Sequence, residues 1–175
     1  MNPDLVLILE AAAFAADKHR RQRRKDAEAS PYINHPLALA DILAREGSIS
    51  DARVIAAALL HDTVEDTETS IAELESRFGE DVAAIVAEVT DDKSLPKDER
   101  KRLQVVKARS KSREAKLVKL ADKIANLRDL HSAPPAAWSE ERREDYFFWA
   151  KDVVAGLRGA SPELEALFDQ EFAKR

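Results

Sequence analysis

The sequence predicts an all-α protein, a compact bundle of about eight helices, and three observations carry that expectation. Helix start and stop signals recur along the whole chain, alternating β-branched runs are scarce, and the residue pairs that build tight hairpins are scarce too. At 175 residues the chain is long enough for a genuine hydrophobic core and fits one domain spanning residues 1–175. No internal repeat, low-complexity tract or interdomain linker divides it.

Each element has a local justification. Asn2-Pro3 sets a capping side chain before a proline at the first helical position, opening a segment of apolar period that is expected to run into the basic cluster near Arg24. Asn34 is read as the cap of a second helix, which Gly47 closes. Ser50 opens a third, from Asp51 to about Asp62 or beyond. Ser70-Ile71-Ala72-Glu73 is a capping box, and Gly79 stops the short helix it starts. Glu80 to Val89 forms the next. The polar break TDDKSLP, Thr90 to Pro96, precedes helices from about Lys97 to Ser110 and from about Arg113 to His131. SAPPAAWS is a loop; a helix follows from Ser139 or Glu140 to about Arg158, and Ser161-Pro162-Glu163 opens the last.

Composition narrows the function. Charged residues make up 35% of the chain and the net charge is −5, so no global field draws it to nucleic acid or an anionic membrane. There are no cysteines, which removes disulfides and thiolate metal sites; any metal ligands must be nitrogen or oxygen. Leu5 to Leu9 is apolar but follows Asp4 and is cut by Glu10, unlike a signal peptide, and no stretch approaches the ~20 apolar residues that span a bilayer. A mature cytoplasmic protein of a single domain, without a further domain after Arg175, is expected. Charge is nevertheless uneven: His19 to Lys25 reads HRRQRRK, five full positive charges in seven residues.

The most informative segment is LLHDTVED. His61 and Asp62 end the apolar run Ile55 to Leu60, a poor place for isolated charge unless it is paired or bound to a metal. On a continuous helix Glu65 would lie under His61 and Asp66 under Asp62, so all four would border one spot. One histidine and one aspartate are too few for a divalent cation. His35, fixed in PYINHP between Pro31 and Pro36, looks like a placed third ligand, and Asp122, beside the apolar stripe Leu117, Leu120, Ile124 and Leu127, is the natural fourth. Such a nitrogen and oxygen set suits manganese first, with iron, magnesium or zinc as alternatives.

RRKDAEASPYINHP, LLHDTVEDT and LVKLADKIANLRDL, in that order, resemble successive motifs of the HD-domain phosphohydrolases, and specifically the hydrolase domain of RelA/SpoT enzymes in its small stand-alone branch. The likeness runs from about Ala12 to Tyr146. It implies an HD-domain helical bundle binding manganese through His35, His61, Asp62 and Asp122. It assigns Glu65 and Asp66 to the catalytic step, positioning or deprotonating the attacking water. Arg24 and Lys25 match a family pair that contacts the nucleotide, and Asn126 a position near ribose or phosphates; Tyr146, Lys97 and Arg142 are further substrate contacts. Lys123 and Ala125 stand where full-length enzymes commonly have arginine and histidine, and the spacing from the Arg-Lys pair to PYINHP is longer here, which favours the stand-alone branch.

The expected function is metal-dependent removal of the 3′-pyrophosphate from guanosine tetra- or pentaphosphate (ppGpp or pppGpp), giving GDP or GTP. Rival readings are a phosphatase acting on another nucleotide, such as NADPH at its 2′-phosphate, and a non-catalytic nucleotide sensor. Nucleic-acid binding through HRRQRRK is a third, marked by a steep salt dependence. The expected partner is a small nucleotide, without nucleic acid, membrane or synthetase domain; monomer and homodimer both stay open.

Overall fold

The computed structural model describes residues 1–175 and is helical throughout, with one isolated antiparallel bridge between Arg23 and Pro31. Helix α1 (Pro3–Lys18) starts where Asn2 Oδ1 accepts from the backbone N–H of Asp4 at 3.0 Å. It stops well short of Arg24. His19 is buried at the turn with Nδ1 2.7 Å from Gln22 Oε1, and Arg24 N–H donates to Ser30 O at 2.8 Å. The basic run is therefore a loop folded onto the PYINHP segment, not a helix end.

Helix α2 (Asn34–Asp41) begins with Asn34 already inside it; Ile33 precedes it and offers no side-chain cap. It continues into a single π turn, Ile42–Glu46, that ends at Gly47. A Cβ on Gly47 would sit 2.8 Å from Leu164 Cδ2, so glycine permits the close approach of the last helix. Helix α3 (Ala52–Leu60) is capped by Asp51 rather than Ser50, the carboxylate accepting from Arg53 N–H at 2.9 Å. A separate single turn, α4 (Thr63–Asp66), follows. Ser70 caps α5 (Ile71–Phe78) through Glu73 N–H at 3.1 Å, and Gly79, at φ 87°, turns the chain into α6 (Glu80–Val89). The rest are α7 (Lys97–Ala108), α8 (Arg113–Ser132), α9 (Glu140–Leu157) and α10 (Pro162–Ala173). Ser112, Ser139 and Ser161 cap the last three.

Two helices form the interior. Every residue of α3 from Val54 to Leu60 is buried, and α3 packs on α1, α2, α6 and α8; a helix apolar on all sides must be covered on all sides. Each leucine so covered contributes about 1.5–3 kcal/mol. Helix α8 touches α2, α3, α6, α9 and α10, yet among Leu117, Leu120, Ile124 and Leu127 it buries Lys119, Asp122 and Lys123. Buried charge of that kind requires partners or a bound ion.

Candidate active site

The buried charge on α8 meets the end of α3. His61 Nδ1 lies 2.8 Å from Ala58 O, and a carbonyl can only accept, so Nδ1 carries the proton and Nε2 presents a lone pair. That Nε2 is 2.8 Å from Asp62 Oδ2 and makes no hydrogen bond. His35, from the first turn of α2, brings its ring centroid 5.3 Å from that of His61, with Nδ1 buried and unpartnered. Donor atoms of His35, His61 and Asp62 all lie within 4.8 Å of one another. Asp122 joins through His35: its Oδ1 is 3.3 Å from His35 Nε2 and accepts from Asn126 Nδ2 at 2.7 Å, while Oδ2 accepts from Lys123 Nζ at 3.0 Å.

Electrostatics agree with a cation site. Burial pushes the Asp62 carboxyl up, but the charges of His61 and His35 and the His61 contact outweigh it and hold the group below the usual range. Burial opposes ionisation of Asp122 too, and there the Lys123 ammonium and the His35 contact hold it well below. His61 feels burial as a lowering, overcome by the Asp62 charge, so its pKa is raised. A divalent cation held by His61 and Asp62 would supply the positive charge that a second proton on the His61 ring otherwise brings. Unpartnered buried imidazole nitrogens beside ionised carboxylates fit a metal of mixed nitrogen and oxygen preference.

Glu65 and Asp66 do not stack under His61 and Asp62 on one uninterrupted helix, because α3 stops at Leu60 and restarts at Thr63 through Asp62 at φ −100°, ψ −3°. The two acids part. Glu65 turns to α7 and the TDDKSLP break: Oε2 accepts from Asp91 N–H at 3.2 Å and Oε1 lies 3.6 Å from Arg100 Nη1. Burial raises its pKa, Asp91 N–H opposes that, and the Asp91 and Asp62 charges add to it. Asp66 faces the other way, paired with Lys93 and held by Gln22 Nε2 donating to its carbonyl at 2.7 Å.

Beside the donor cluster opens a cleft of about 680 Å³ whose wall includes His35, Asp66, Arg24, Lys25, Asn126 and Tyr146. Arg24 pairs with Asp129, reaches Asn126 Oδ1 at 3.5 Å and lies over the Tyr32 ring. Lys97 and Arg142 do not line it; both are exposed, Arg142 resting 4.5 Å over the Trp138 ring at the rim. Sequence reasoning passed over Tyr32, whose hydroxyl donates to Asp62, and Trp138, whose ring is 5.8 Å from Tyr146 in the cleft wall. Tyr32 stood inside a quoted motif and could have been found; Trp138 was hidden in a loop, and Lys93 in a polar break that carried no signal.

Comparison with known proteins places this arrangement. The HD domain family matches residues 11–151. Guanosine-3′,5′-bis(diphosphate) 3′-pyrophosphohydrolase MESH1 of Xenopus tropicalis is 60% identical over 98% of this chain and 96% of its own length. The protein of the same name from Homo sapiens is 56% identical over 100% of this chain and 98% of its own. A solved structure described as a metazoan orthologue of SpoT that hydrolyses ppGpp superposes with a TM-score of 0.94 at 52% identity, over 97% of this chain and 95% of that one. The chain belongs to the HD-domain family and, within it, to the small MESH1-type group of guanosine-3′,5′-bis(diphosphate) 3′-pyrophosphohydrolases.

Proposed function

We propose that this chain cleaves the 3′-pyrophosphate from ppGpp or pppGpp, giving GDP or GTP and pyrophosphate, with one manganese ion held by His35, His61, Asp62 and Asp122. The observation that carries the reading is the meeting of His35, His61 and Asp62 donors within 4.8 Å, beside a basic cleft whose wall includes His35 and Asp66. Relatives named for that reaction, 56% and 60% identical, support it. The bound cation would polarise the scissile phosphoryl group and acidify a water next to it.

The chain's own residues supply the rest. Glu65, half-buried and raised in pKa, accepts the proton of the attacking water, and Asp66 orients that water from the cleft side. Arg24, Lys25 and Arg23 take phosphate oxygens; Asp129 holds the Arg24 guanidinium in place, and Asn126 reaches both Asp122 and the cleft. Tyr146 and Trp138 offer ring faces for the base, with Arg142 bracing Trp138 from outside. Lys97, farther out, steers the polyanion to the mouth. The protein works as a single domain on a soluble nucleotide in the cytoplasm; no helix is long and apolar enough to cross a membrane.

Purified protein is incubated with ppGpp, pppGpp and NADPH, with manganese or with chelator, and the released phosphate species is identified. Pyrophosphate from the guanosine nucleotides, abolished by chelator, is the expected result. Single phosphate release from NADPH alone would move the assignment to a 2′-phosphatase, and binding without turnover would make the protein a sensor.

A further inference from the structure

We infer that Gln104, on α7, is a positioning residue that ties the metal ligand Asp122 to the proton acceptor Glu65 through an unbroken chain of hydrogen bonds. The inference rests on the reading of Glu65 and Asp122 just given and adds to it a residue from a helix no motif singled out. The chain starts at Asp122 Oδ2, which accepts from Lys123 Nζ at 3.0 Å. The same ammonium donates to Gln104 Oε1 at 3.2 Å and lies 4.2 Å from the centroid of the Trp149 ring, so the side chain of Lys123, 3% exposed, is fixed on three sides. Gln104 Nε2 then donates to Asp91 Oδ2 at 2.5 Å. Asp91 in turn donates its backbone N–H to Glu65 Oε2 at 3.2 Å.

Polarity explains why a glutamine stands there. The link must accept from an ammonium at one end and donate to a carboxylate at the other, and among side chains a primary amide does both without adding charge. A glutamate would face Asp91 with like charge; a lysine would face Lys123 with like charge. Asp91 has no helix to hold it, since it lies in the irregular Thr90 to Pro96 segment. Its N–H stays aimed at Glu65 because its carboxylate is anchored on α7. One turn earlier on that helix, Arg100 Nη1 lies 3.6 Å from the other Glu65 oxygen. Both oxygens of the proton acceptor are therefore referred to α7, Oε1 directly and Oε2 through Gln104 and Asp91. Outer partners that orient reacting groups are worth about 10–100-fold when removed.

The test is a double-mutant cycle on the full chain with manganese and ppGpp, comparing the parent, Gln104→Met, Glu65→Gln and the double variant. Gln104→Met is expected to lower kcat about tenfold with KM within twofold. In the Glu65→Gln background the same change should cost nothing more, because it acts through the group already removed. In metal-free protein, amide hydrogen exchange at Asp91 should quicken about tenfold in Gln104→Met, as expected when a local opening becomes easier. Should Gln104→Met fail to fold, Gln104→Glu carries the cycle; it keeps the oxygen toward Lys123 and loses the donation to Asp91. An unchanged kcat, or a loss that is equally large with and without Glu65, overturns the inference while leaving the proposed function standing. A parent inactive on ppGpp, or Glu65→Gln as active as the parent, instead brings down the reading beneath it, and the inference falls with it.

Discussion

Lys119 is 7% exposed on α8, forms neither a hydrogen bond nor an ion pair, and lies on the same helical stripe as Asp122 and Lys123. Its charge helps hold Asp122 and Glu65 ionised, but with a divalent cation bound it becomes one positive charge too many in a buried place. Lys119→Met keeps the length and removes the charge. In manganese-loaded protein this variant should be more stable by about 0.5–2 kcal/mol, the usual scale for such a repair, read as a higher thermal midpoint; a lower midpoint would show that the ammonium has an anionic partner in the loaded state. Glu65 gives the opposite kind of prediction. Glu65→Gln preserves shape and keeps an oxygen toward Asp91 N–H, yet cannot take a proton. Turnover should fall by about 10²–10⁴, the range of general-base catalysis, with manganese content by atomic absorption unchanged. Loss of manganese along with activity would mean that Glu65 serves the metal rather than the water.

Helix α7 carries Arg100 and Gln104 and presses against α9 at Gly156, where an added Cβ would meet Ala108 Cβ at 2.6 Å and Arg109 N at 3.1 Å. Two effects compete in Gly156→Ala. Helix propensity returns about 1 kcal/mol, while overpacking against neighbouring backbone costs about 1–3 kcal/mol. Packing should win, giving a net destabilisation of about 1 kcal/mol in denaturant unfolding and a lower kcat, because α7 is pushed from the groups it supports. Helices of this kind were readable beforehand from their signals: Asn2, Ser70, Ser139 and Ser161 cap where local chemistry says they should. Where the sequence misled, a tertiary contact had overridden a local rule. The basic run loses its helix to the loop pairing with Ser30 and Pro31, and the third helix breaks at His61 and Asp62, the residues the site needs reoriented. The meeting of His61, Asp62 and Asp122 was legible because charged side chains set among leucines call for partners or an ion. Gln104 and Asp91 were not, since their roles depend on α7 lying over the TDDKSLP segment, a long-range fact that no local pattern encodes.

At the scale of the whole molecule, stability and activity meet on α8. Arg128 clamps it from one side, bidentate to Glu46 of the π turn at 2.6 and 2.9 Å and bonded through Nε to Glu171 of α10 at 3.0 Å. The Arg128 bonds lower the Glu46 pKa against burial, and at Glu171 burial is outweighed by Lys174 and Arg128. Groups depressed in the folded state stabilise it above their ordinary value of 4.5 and lose that contribution as pH falls through the lower folded value. Stability should thus drop on acidification below about pH 4.5, and Glu171→Gln, measured by urea unfolding across that range, should flatten the drop; an undiminished slope would assign it to other carboxylates. A cation held in part by Asp122 would act on a different face of the same helix. A ligand that binds only the native state stabilises by about 2.7 kcal/mol at a hundredfold excess over its Kd, and for a chain of this size each kcal/mol moves the midpoint by about 2–4 °C. Manganese should therefore raise the thermal midpoint by about 5–10 °C over chelated protein. Asp62→Ala should abolish that rise, since it removes one of three donors that lie within 4.8 Å of one another. Gly156→Ala should keep the rise in full while starting from a lower midpoint, because the crowding it introduces is against Ala108 and Arg109 and touches no donor. A manganese shift that survives in Asp62→Ala would place the ion elsewhere and separate the cluster from the chemistry assigned to it.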